Sequence, residues 1–383
     1  MNQRNGRLIA GVAAVAVAAV VAGGFVASRQ SPEGSTADAA PLPGSSSTPP
    51  SSKPTSGTST ATNTGPATVD VAVKKLAEGR APQLPYLVDR EVRGGAGGPV
   101  KIPGTGTILG IARLNTSALA VVERVSADKD KLPFGSDLIK VRYGEVTKTS
   151  GVSTVVGRDD QAAVAYATTR YDAKGDRIKG SDMYATTDES AQRLELTNSW
   201  DVEVLAYRNA SVYFRAAATS GGPKTLYQWK PGAPKATSLK GGESPVAIAN
   251  DGTIAASLKV LNDGSCATVT EIATGGQLWR TCDSKLAGFT PDSQVAVGLE
   301  AAFESCSTTM TALEARTGKL IRTWKGCFHD AVAEDDQHLL AIAVVSGSPV
   351  QGGYTLAIIR CSIPTGQCER STANAVDQVV ALR

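Results

Sequence analysis

The chain has 383 residues, enough for two average domains or one large all-β domain. Its formal charge is +3, and only six of its 75 charged side chains lie before residue 68, so the rest is close to neutral. A near-neutral domain lacks the basic surface that nucleic-acid binding requires. The chain has only two histidines, His329 and His338, which limits metal and imidazole chemistry.

The first 27 residues predict an export or anchoring segment. Residues 8–27 are 20 uninterrupted apolar or small residues, and a helix of that length, at about 1.5 Å per residue, matches a hydrocarbon core of about 30 Å. Arg4 and Arg7 precede this run, which places residues 1–7 in the cytoplasm and the rest of the chain outside it. The alternative is a cleaved signal peptide and a secreted protein, but such peptides usually have an apolar core of about 7–15 residues. The longer run favours a single-pass membrane anchor.

Residues 28–67 consist almost entirely of Ser, Thr, Pro, Gly and Ala. A segment of this composition cannot bury enough apolar surface to offset the entropy lost on ordering. It predicts a disordered linker that holds the folded domain, residues 68–383, away from the membrane.

From about residue 108 one pattern returns at intervals of 41 to 50 residues: an apolar strand, an Asx corner and a second apolar strand. The corners are Asn115, Asp159, Asn209, Asp251, Asp292, Asp335 and Asp377. An Asx side chain can accept a hydrogen bond from the backbone N–H two residues later and so form a turn. A second hairpin follows in several repeats, with turns at Thr274-Gly275, Thr317-Gly318 and Thr365-Gly366. Four short strands per repeat, with no helical periodicity, predict an all-β fold, a β-propeller.

The two ends of the folded region predict one shared blade. Tyr86–Val92 and Gly98–Ile102 are expected to be its third and fourth strands, and Val379–Leu382 its second strand. Residues 84–383 then divide into seven four-stranded blades of about 43 residues, a length within the range of known propeller repeats. Closure by both termini would leave no open sheet edge in the ring.

Residues 312–321 and 271–279 resemble the repeats of quinoprotein-like and YVTN- or WD40-like propellers, which read roughly A-L-D-x-x-T-G-K-x-x-W. The resemblance implies the propeller fold of an exported bacterial protein. Trp279 keeps the tryptophan of the pattern, whereas Arg322 stands where a second one is expected. The adjacent cysteine pair of quinoprotein alcohol dehydrogenases is absent, so no redox cofactor is carried over.

The six cysteines are placed symmetrically about the Thr-Gly turns, which predicts three disulfides: Cys266–Cys282, Cys306–Cys327 and Cys361–Cys368. Residues equidistant from a hairpin turn face each other at about 4.5–5.5 Å between Cβ atoms. Of the 15 possible pairings, this one alone places every bridge within one hairpin. Disulfides require an oxidising compartment, which agrees with export. The spacing does not fit a zinc site, because no C-x-x-C occurs.

No nucleophile elbow, P-loop or zinc-protease motif is present, so no catalytic, cofactor-binding or metal-ligating residue is predicted. His329 and Asp330 are the candidate contacts for the central channel, with structural roles for His329 and the outward-facing His338 as the alternative. Trp229 is a candidate rim contact, with packing between blades as the alternative.

These patterns favour a membrane-anchored, non-catalytic propeller outside the cytoplasm. It would bind or scaffold an envelope protein or glycan, with no nucleic-acid partner. The alternative is an extracytoplasmic enzyme, a lyase or a quinoprotein-type dehydrogenase, with its site in the central channel. The fold hosts many functions and does not decide between them.

Overall fold

The computed structural model describes residues 67–124, 135–261, 264–301, 306–348, 353–376 and 380–382. The predicted tail, anchor and nearly all of the linker lie outside these ranges, as does the corner at Asp377. Within the described ranges, no helical segment has the length and hydropathy of a membrane span. The described chain is nearly all β, with one short 3-10 helix at Val73–Lys75. The predicted all-β class is confirmed.

The described residues form five four-stranded antiparallel sheets, which we label A to E, together with a larger sheet F. Sheet A contains Val380–Leu382, Tyr86–Val88, Glu91–Arg93 and Val100–Lys101. Sheet B contains Ile108–Leu114, Ser117–Glu123, Ser136–Arg142 and Glu145–Ser150. Sheet C contains Val152–Gly157, Val164–Thr168, Ser181–Thr186 and Ala191–Leu196. Sheet D contains Trp200–Arg208, Ser211–Ala217, Lys224–Trp229 and Thr237–Leu239. Sheet E contains Pro245–Ile248, Ile254–Leu261, Gly264–Glu271 and Gln277–Thr281.

Sheet F has nine strands. Its main path is Ser284–Phe289, Val295–Glu300, Ser307–Glu314, Leu320–Ala333, His338–Ser348, Gly353–Ser362 and Cys368–Arg370. Ala67–Asp70 and Ala375–Val376 pair beside this path. The 14-residue strand Leu320–Ala333 pairs with Ser307–Glu314 through its first part and with His338–Ser348 through its second part. It therefore ends one group of four strands and begins the next.

The hydrophobic core is divided into clusters that each lie between two consecutive groups of four strands. Leu87 and Ile111 belong to the cluster between sheets A and B, and Phe214 belongs to the one between C and D. Tyr86 and Leu340 belong to a cluster that joins the second half of sheet F back to sheet A. Many buried positions are alanine, which allows the sheet faces to approach closely. Consecutive antiparallel sheets that pack in sequence, with the last packed on the first, form a β-propeller.

Sheet A is built from both ends of the described chain, but not in the predicted proportions. Its first strand, Val380–Leu382, pairs with Tyr86–Val88, so the C-terminal end supplies one strand and the N-terminal region supplies three. The expected strand Tyr86–Val92 is two strands, because Asp89 adopts a positive φ of 56° and Val88 pairs with Glu91 across a tight turn. The C-terminal strand was expected to be the second of this blade and is its first, so that prediction is wrong.

The Asx corners form the predicted turns in sheets E and F. Asp251 Oδ1 accepts the N–H of Thr253 at 2.9 Å, and Asp335 Oδ1 accepts that of Gln337 at 2.8 Å. In sheet C this bond is made by Asp160 to the N–H of Ala162, not by the expected Asp159. The longer interval there arises because a hairpin of Arg170–Tyr171 and Arg177–Ile178 is inserted between the second and third strands.

The Asx corners and the Thr-Gly turns lie at one end of the sheets, which we call the corner face. Asx corners join first to second strands, and Thr-Gly turns join third to fourth strands. In an antiparallel sheet of four consecutive strands, these two kinds of turn lie on the same side.

The structure contains the three predicted disulfides, Cys266–Cys282, Cys306–Cys327 and Cys361–Cys368, and no cysteine is left free. Cys361 and Cys368 pair directly in the strand register. Each bridge joins neighbouring strands of one hairpin, as the symmetry about the turns predicts. Three disulfides indicate an oxidising environment, as found outside the cytoplasm.

Residues 67–83 form an N-terminal strap that the sequence did not predict. Ala67–Asp70 adds a parallel strand beside Arg322–Lys325 of sheet F, and the N–H of Gly79 donates to Arg370 O at 2.9 Å. Arg360 then donates to the carbonyls of Arg80 and Ala81 and forms a buried ion pair with Glu334. The strap therefore joins both halves of sheet F.

Candidate functional site

His329 lies in Leu320–Ala333, beside the irregularity between Phe328 and Asp330. Its ring is half-buried and meets Tyr354 edge-on, with 5.1 Å between ring centroids. Its Nε2 is buried and has no hydrogen-bond partner within the described residues. Burial lowers the pKa of His329, and the ammonium of Lys285 lowers it further. The imidazole is therefore neutral near pH 7.

The surroundings of His329 differ from those of a general acid or base. A catalytic imidazole is commonly oriented by a carboxylate, which raises its pKa, whereas the charge that acts on His329 is the cation of Lys285. Asp330 Oδ1 accepts the N–H of Ala331 at 2.9 Å. In the part of the chain that the structure describes, no three His, Cys, Asp or Glu side chains could together hold a metal ion.

His338 and Trp229 have structural surroundings. His338 Nδ1 lies 2.9 Å from Asp335 Oδ1 at the corner that begins its strand. Trp229 is fully buried in the cluster between sheets C and D, and its Nε1 donates to Ala233 O at 2.9 Å. The ring of Trp229 does not reach solvent, so Trp229 packs between sheets, as the alternative predicted, and is not a rim contact.

A groove of about 750 Å³ lies between sheets A and B, on the corner face. One wall comes from sheet A and the chain after it, and the other from the last hairpin of sheet B. We call it the Tyr143 groove; its lining residues are Gly98, Pro99, Val100, Lys101, Pro103, Thr116, Val141, Tyr143, Gly144 and Val146. Tyr143 is 82% exposed and Val146 is 51% exposed. Two large apolar side chains therefore face solvent at one site, where a binding partner could cover them.

Tyr143 is held in a conformation that a tyrosine rarely adopts. Arg142 pairs with Glu145, so Tyr143 and Gly144 form a two-residue hairpin loop with φ of 50° and 84°. Such loops usually contain Asn-Gly or Gly-Gly, because both residues need positive φ. Tyr143 is the one aromatic residue among the non-glycine residues with positive φ in the described ranges. The conformational cost of the positive φ at Tyr143 is therefore not offset by burial of its side chain.

Polar contacts orient the Tyr143 ring. The guanidinium of Arg142 lies 5.4 Å from the ring centroid, and Thr116 Oγ1 lies 3.5 Å from the phenol oxygen. The contact with Thr116 lowers the pKa of Tyr143, and the charge of Arg142 lowers it further. The ring thus presents an apolar face to solvent beside a hydroxyl that can form hydrogen bonds. This site was missed from the sequence, although Tyr143-Gly144 between two strand-like segments was a readable signal for a hairpin loop with an exposed tyrosine.

Burial shifts the pKa of two further ionisable groups near the corner face. Arg208 is fully buried, donates to Ile248 O at 2.7 Å, and has two other nitrogens without partners in the described structure. Burial lowers its pKa to about 10. Burial also raises the pKa of Asp159 to about 6, although the charge of Arg208 opposes this rise.

Comparisons with known proteins find structural likeness without close relatives. No family model and no curated protein matches the sequence. The β-propeller domain of the Trilobed protease from Pyrococcus furiosus is 8% identical, with a TM-score of 0.47 over 70% of this chain and 84% of that one. An uncharacterised protein from Listeria monocytogenes is 8% identical, with a TM-score of 0.46 over 79% of this chain and 87% of that one. TolB from Acinetobacter baumannii is 14% identical, with a TM-score of 0.38 over 67% of this chain and 69% of that one. Because these TM-scores are all below 0.5, the fold is assigned from the strand order and sheet packing of this chain.

Proposed function

We propose that the chain is a single-pass membrane protein whose extracytoplasmic propeller binds and scaffolds an envelope protein or glycan. The observation that carries this proposal is the Tyr143 groove. Tyr143 is exposed at a conformational cost, and the groove around it is large enough for a peptide or a sugar chain. A side chain that is strained and unburied contributes little to folding, which is why a binding role is the better account of it.

The propeller proposed here has seven blades. Sheets A to E supply five, and sheet F supplies two that share Leu320–Ala333. The support is the division of the described core into seven clusters, each between successive groups of four strands. A ring of seven blades has seven interfaces between blades, so the two counts agree.

The membrane anchor and the compartment rest on two independent observations. Residues 8–27 have the length and composition of a membrane span and follow two arginines. The three disulfides agree with an oxidising compartment on the far side of that membrane.

Photocrosslinking in the intact envelope tests the binding role. A photoreactive phenylalanine at Val146 would sit within the groove and leave Tyr143 in place, and one at Val260, 68% exposed in sheet E, is the matched control. We expect a discrete adduct with another envelope molecule at position 146 and none at position 260. Adducts of equal yield at both positions, or none at position 146, would contradict the proposal.

A further inference from the structure

A second cavity, of about 310 Å³, lies between sheet E and the first four strands of sheet F. Residues 279–281 of the last strand of sheet E line one side of it, followed by Asp283 and Ser284. Thr311 and the Thr317-Gly318 turn line the other side. We call it the Trp279 pocket. Its volume is within the range of small-ligand pockets, and it shares no lining residue with the Tyr143 groove.

The Trp279 pocket contains an aromatic wall. Half-buried Trp279 is held in place by its Nε1, which donates to Ala315 O at 2.8 Å. Gly318 lies against the indole and has no side chain to fill the space beside it, since a Cβ there would lie 2.6 Å from the ring. Leu313 and Leu320 add apolar surface. The negative face of an indole attracts polarised C–H bonds, such as those on one side of a sugar ring.

Two buried hydroxyl groups lie in the same pocket. Ser284 is 5% exposed and Thr311 is 9% exposed, and their Oγ atoms lie 3.4 Å apart. A hydroxyl has one donor and two acceptor positions, so this contact uses one position of each and leaves the others for a ligand. Buried polar groups cost free energy when they lack partners. A ligand with hydroxyl groups of its own could both donate to this pair and accept from it.

The charges of the pocket favour a neutral ligand. Arg280 and Asp283 are the charged residues of its lining, are both exposed, and have opposite signs. Either of them can form a strong hydrogen bond to a hydroxyl. Cys282 stands between Thr281 and Asp283, and its disulfide to Cys266 crosslinks this wall to the neighbouring strand. The crosslink fixes the wall before binding, which reduces the entropy lost when a ligand is bound.

We propose that the Trp279 pocket binds a neutral sugar ring, which stacks on the indole and bonds to Asp283, Ser284 and Thr311. A peptide strand is the competing ligand, because the strap strand Ala67–Asp70 pairs beside Arg322, which corresponds to Trp279 in the repeat pattern. That pairing uses backbone groups of a strand edge, whereas the polar groups of the Trp279 pocket are mainly side-chain hydroxyls. The inference does not rest on the role proposed for the Tyr143 groove.

Ligand-observed NMR of the purified full-length protein, in a detergent without sugar head groups, tests the inference. The probes are the methyl glycosides of glucose, galactose, mannose and N-acetylglucosamine. We expect saturation transfer to at least one of them, strongest at the protons on one side of its ring. Asp283→Ala should weaken that binding about tenfold, and Thr311→Val, which keeps the shape of the side chain, about fivefold, because each removes hydrogen bonds to the ligand.

Two control variants should bind the probes as the unaltered protein does. Asp176→Ala removes an exposed carboxylate from the inserted hairpin of sheet C, and Tyr143→Gly alters the other groove. Urea unfolding of every variant separates loss of binding from loss of the fold, and the exposed position of Asp283 keeps that variant folded.

Several results would overturn the inference. One is the absence of saturation transfer to all four probes, and another is binding that both pocket variants retain. Loss of binding in Tyr143→Gly would place the sugar in the other groove. Stronger binding of the peptide Ala-Thr-Val-Asp, which has the sequence of the strap strand, with loss in the two pocket variants, would show a peptide site instead.

Discussion

At the scale of single residues, Tyr143 is the clearest conflict between conformation and stability. A bulky side chain at positive φ costs of the order of 1–3 kcal/mol, and this one is 82% exposed, so packing recovers little of that cost. Glycine adopts the same φ without a clash between Cβ and the backbone.

We therefore predict that Tyr143→Gly raises the free energy of unfolding, by about 0.5–1 kcal/mol after the entropy lost by glycine is subtracted. The same substitution should abolish the adduct formed from position 146. Urea unfolding of the two proteins measures the first effect. A loss of stability in Tyr143→Gly would show that the tyrosine is a structural residue, contrary to the binding role.

The raised pKa of Asp159 predicts that the fold becomes less stable as the pH rises. Burial raises its pKa in the folded state to about 6 from the ordinary value of 3.8. The folded protein therefore holds this proton more tightly than the unfolded chain does, and ionisation of Asp159 destabilises the fold above about pH 6. As the pH falls from 6 towards 4, this destabilisation disappears.

Asp159→Asn should raise the free energy of unfolding by about 1–2 kcal/mol near pH 7.5, and should change it little near pH 4. Asp160→Asn is the matched control: Asp160 bonds to Arg158 at 2.8 Å, and its pKa is lowered. That variant should not be stabilised near pH 7.5. If the two variants behaved alike, the burial of Asp159 would not be the cause.

At the scale of elements, neighbouring groups of four strands are joined by one repeated contact. Trp279 Nε1 donates to Ala315 O at 2.8 Å, and Arg322 Nε donates to Ile363 O at 2.8 Å. Ala315 and Ile363 both stand two residues before the threonine of a Thr-Gly turn. Arg322 therefore makes the same hydrogen bond as the tryptophan that the repeat pattern leads one to expect there.

Local patterns were readable from the sequence, and distant contacts were not. The disulfide pairs and the Asx corners depend on spacing around a single turn, which composition and period reveal. The strap depends on partners more than 200 residues away, such as Gln83 N–H donating to Glu334 Oε1, and no periodicity marks it. The hairpin loop at Tyr143-Gly144 had a local signal, but the groove beside it did not, because its other wall comes from sheet A, about 40 residues earlier in the chain.

The Cys306–Cys327 disulfide lies next to the strap, whereas the Cys266–Cys282 disulfide does not. Ala67–Asp70 pairs with Arg322–Lys325, and Cys327 follows two residues later in the same strand. Removing Cys306–Cys327 with paired alanines should speed hydrogen exchange at Thr68–Asp70 about tenfold, because the strand that supports them loses its crosslink. Both this change and loss of Cys266–Cys282 should lower the free energy of unfolding by about 2–3 kcal/mol.

Only the Cys306–Cys327 variant should loosen the strap, since the Cys266–Cys282 bridge lies in sheet E, away from it. Mass spectrometry of deuterated peptides from both variants distinguishes the local effect from the global one. Equal exchange at residues 68–70 in the two variants would mean that the disulfide does not support the strap.

At the scale of the whole molecule, the sheets, the strap and the groove combine into one arrangement. The strap begins at the corner face, and the groove opens there. Half-buried His329 and Lys285 lie instead towards the opposite end of sheet F. Each stands next to the first residue of its strand that pairs with the following strand. A partner bound at the groove and a substrate bound near His329 would therefore leave different footprints.

A hydrogen-exchange footprint of the full-length protein tests the central claim, that the propeller binds an envelope partner through the Tyr143 groove. The full-length protein is compared in native envelope and in detergent. The account predicts slower exchange in the envelope at residues 98–103 and 141–146. Unchanged exchange there, with protection near Lys285, His329 and Tyr354, would contradict it and favour a site in the channel.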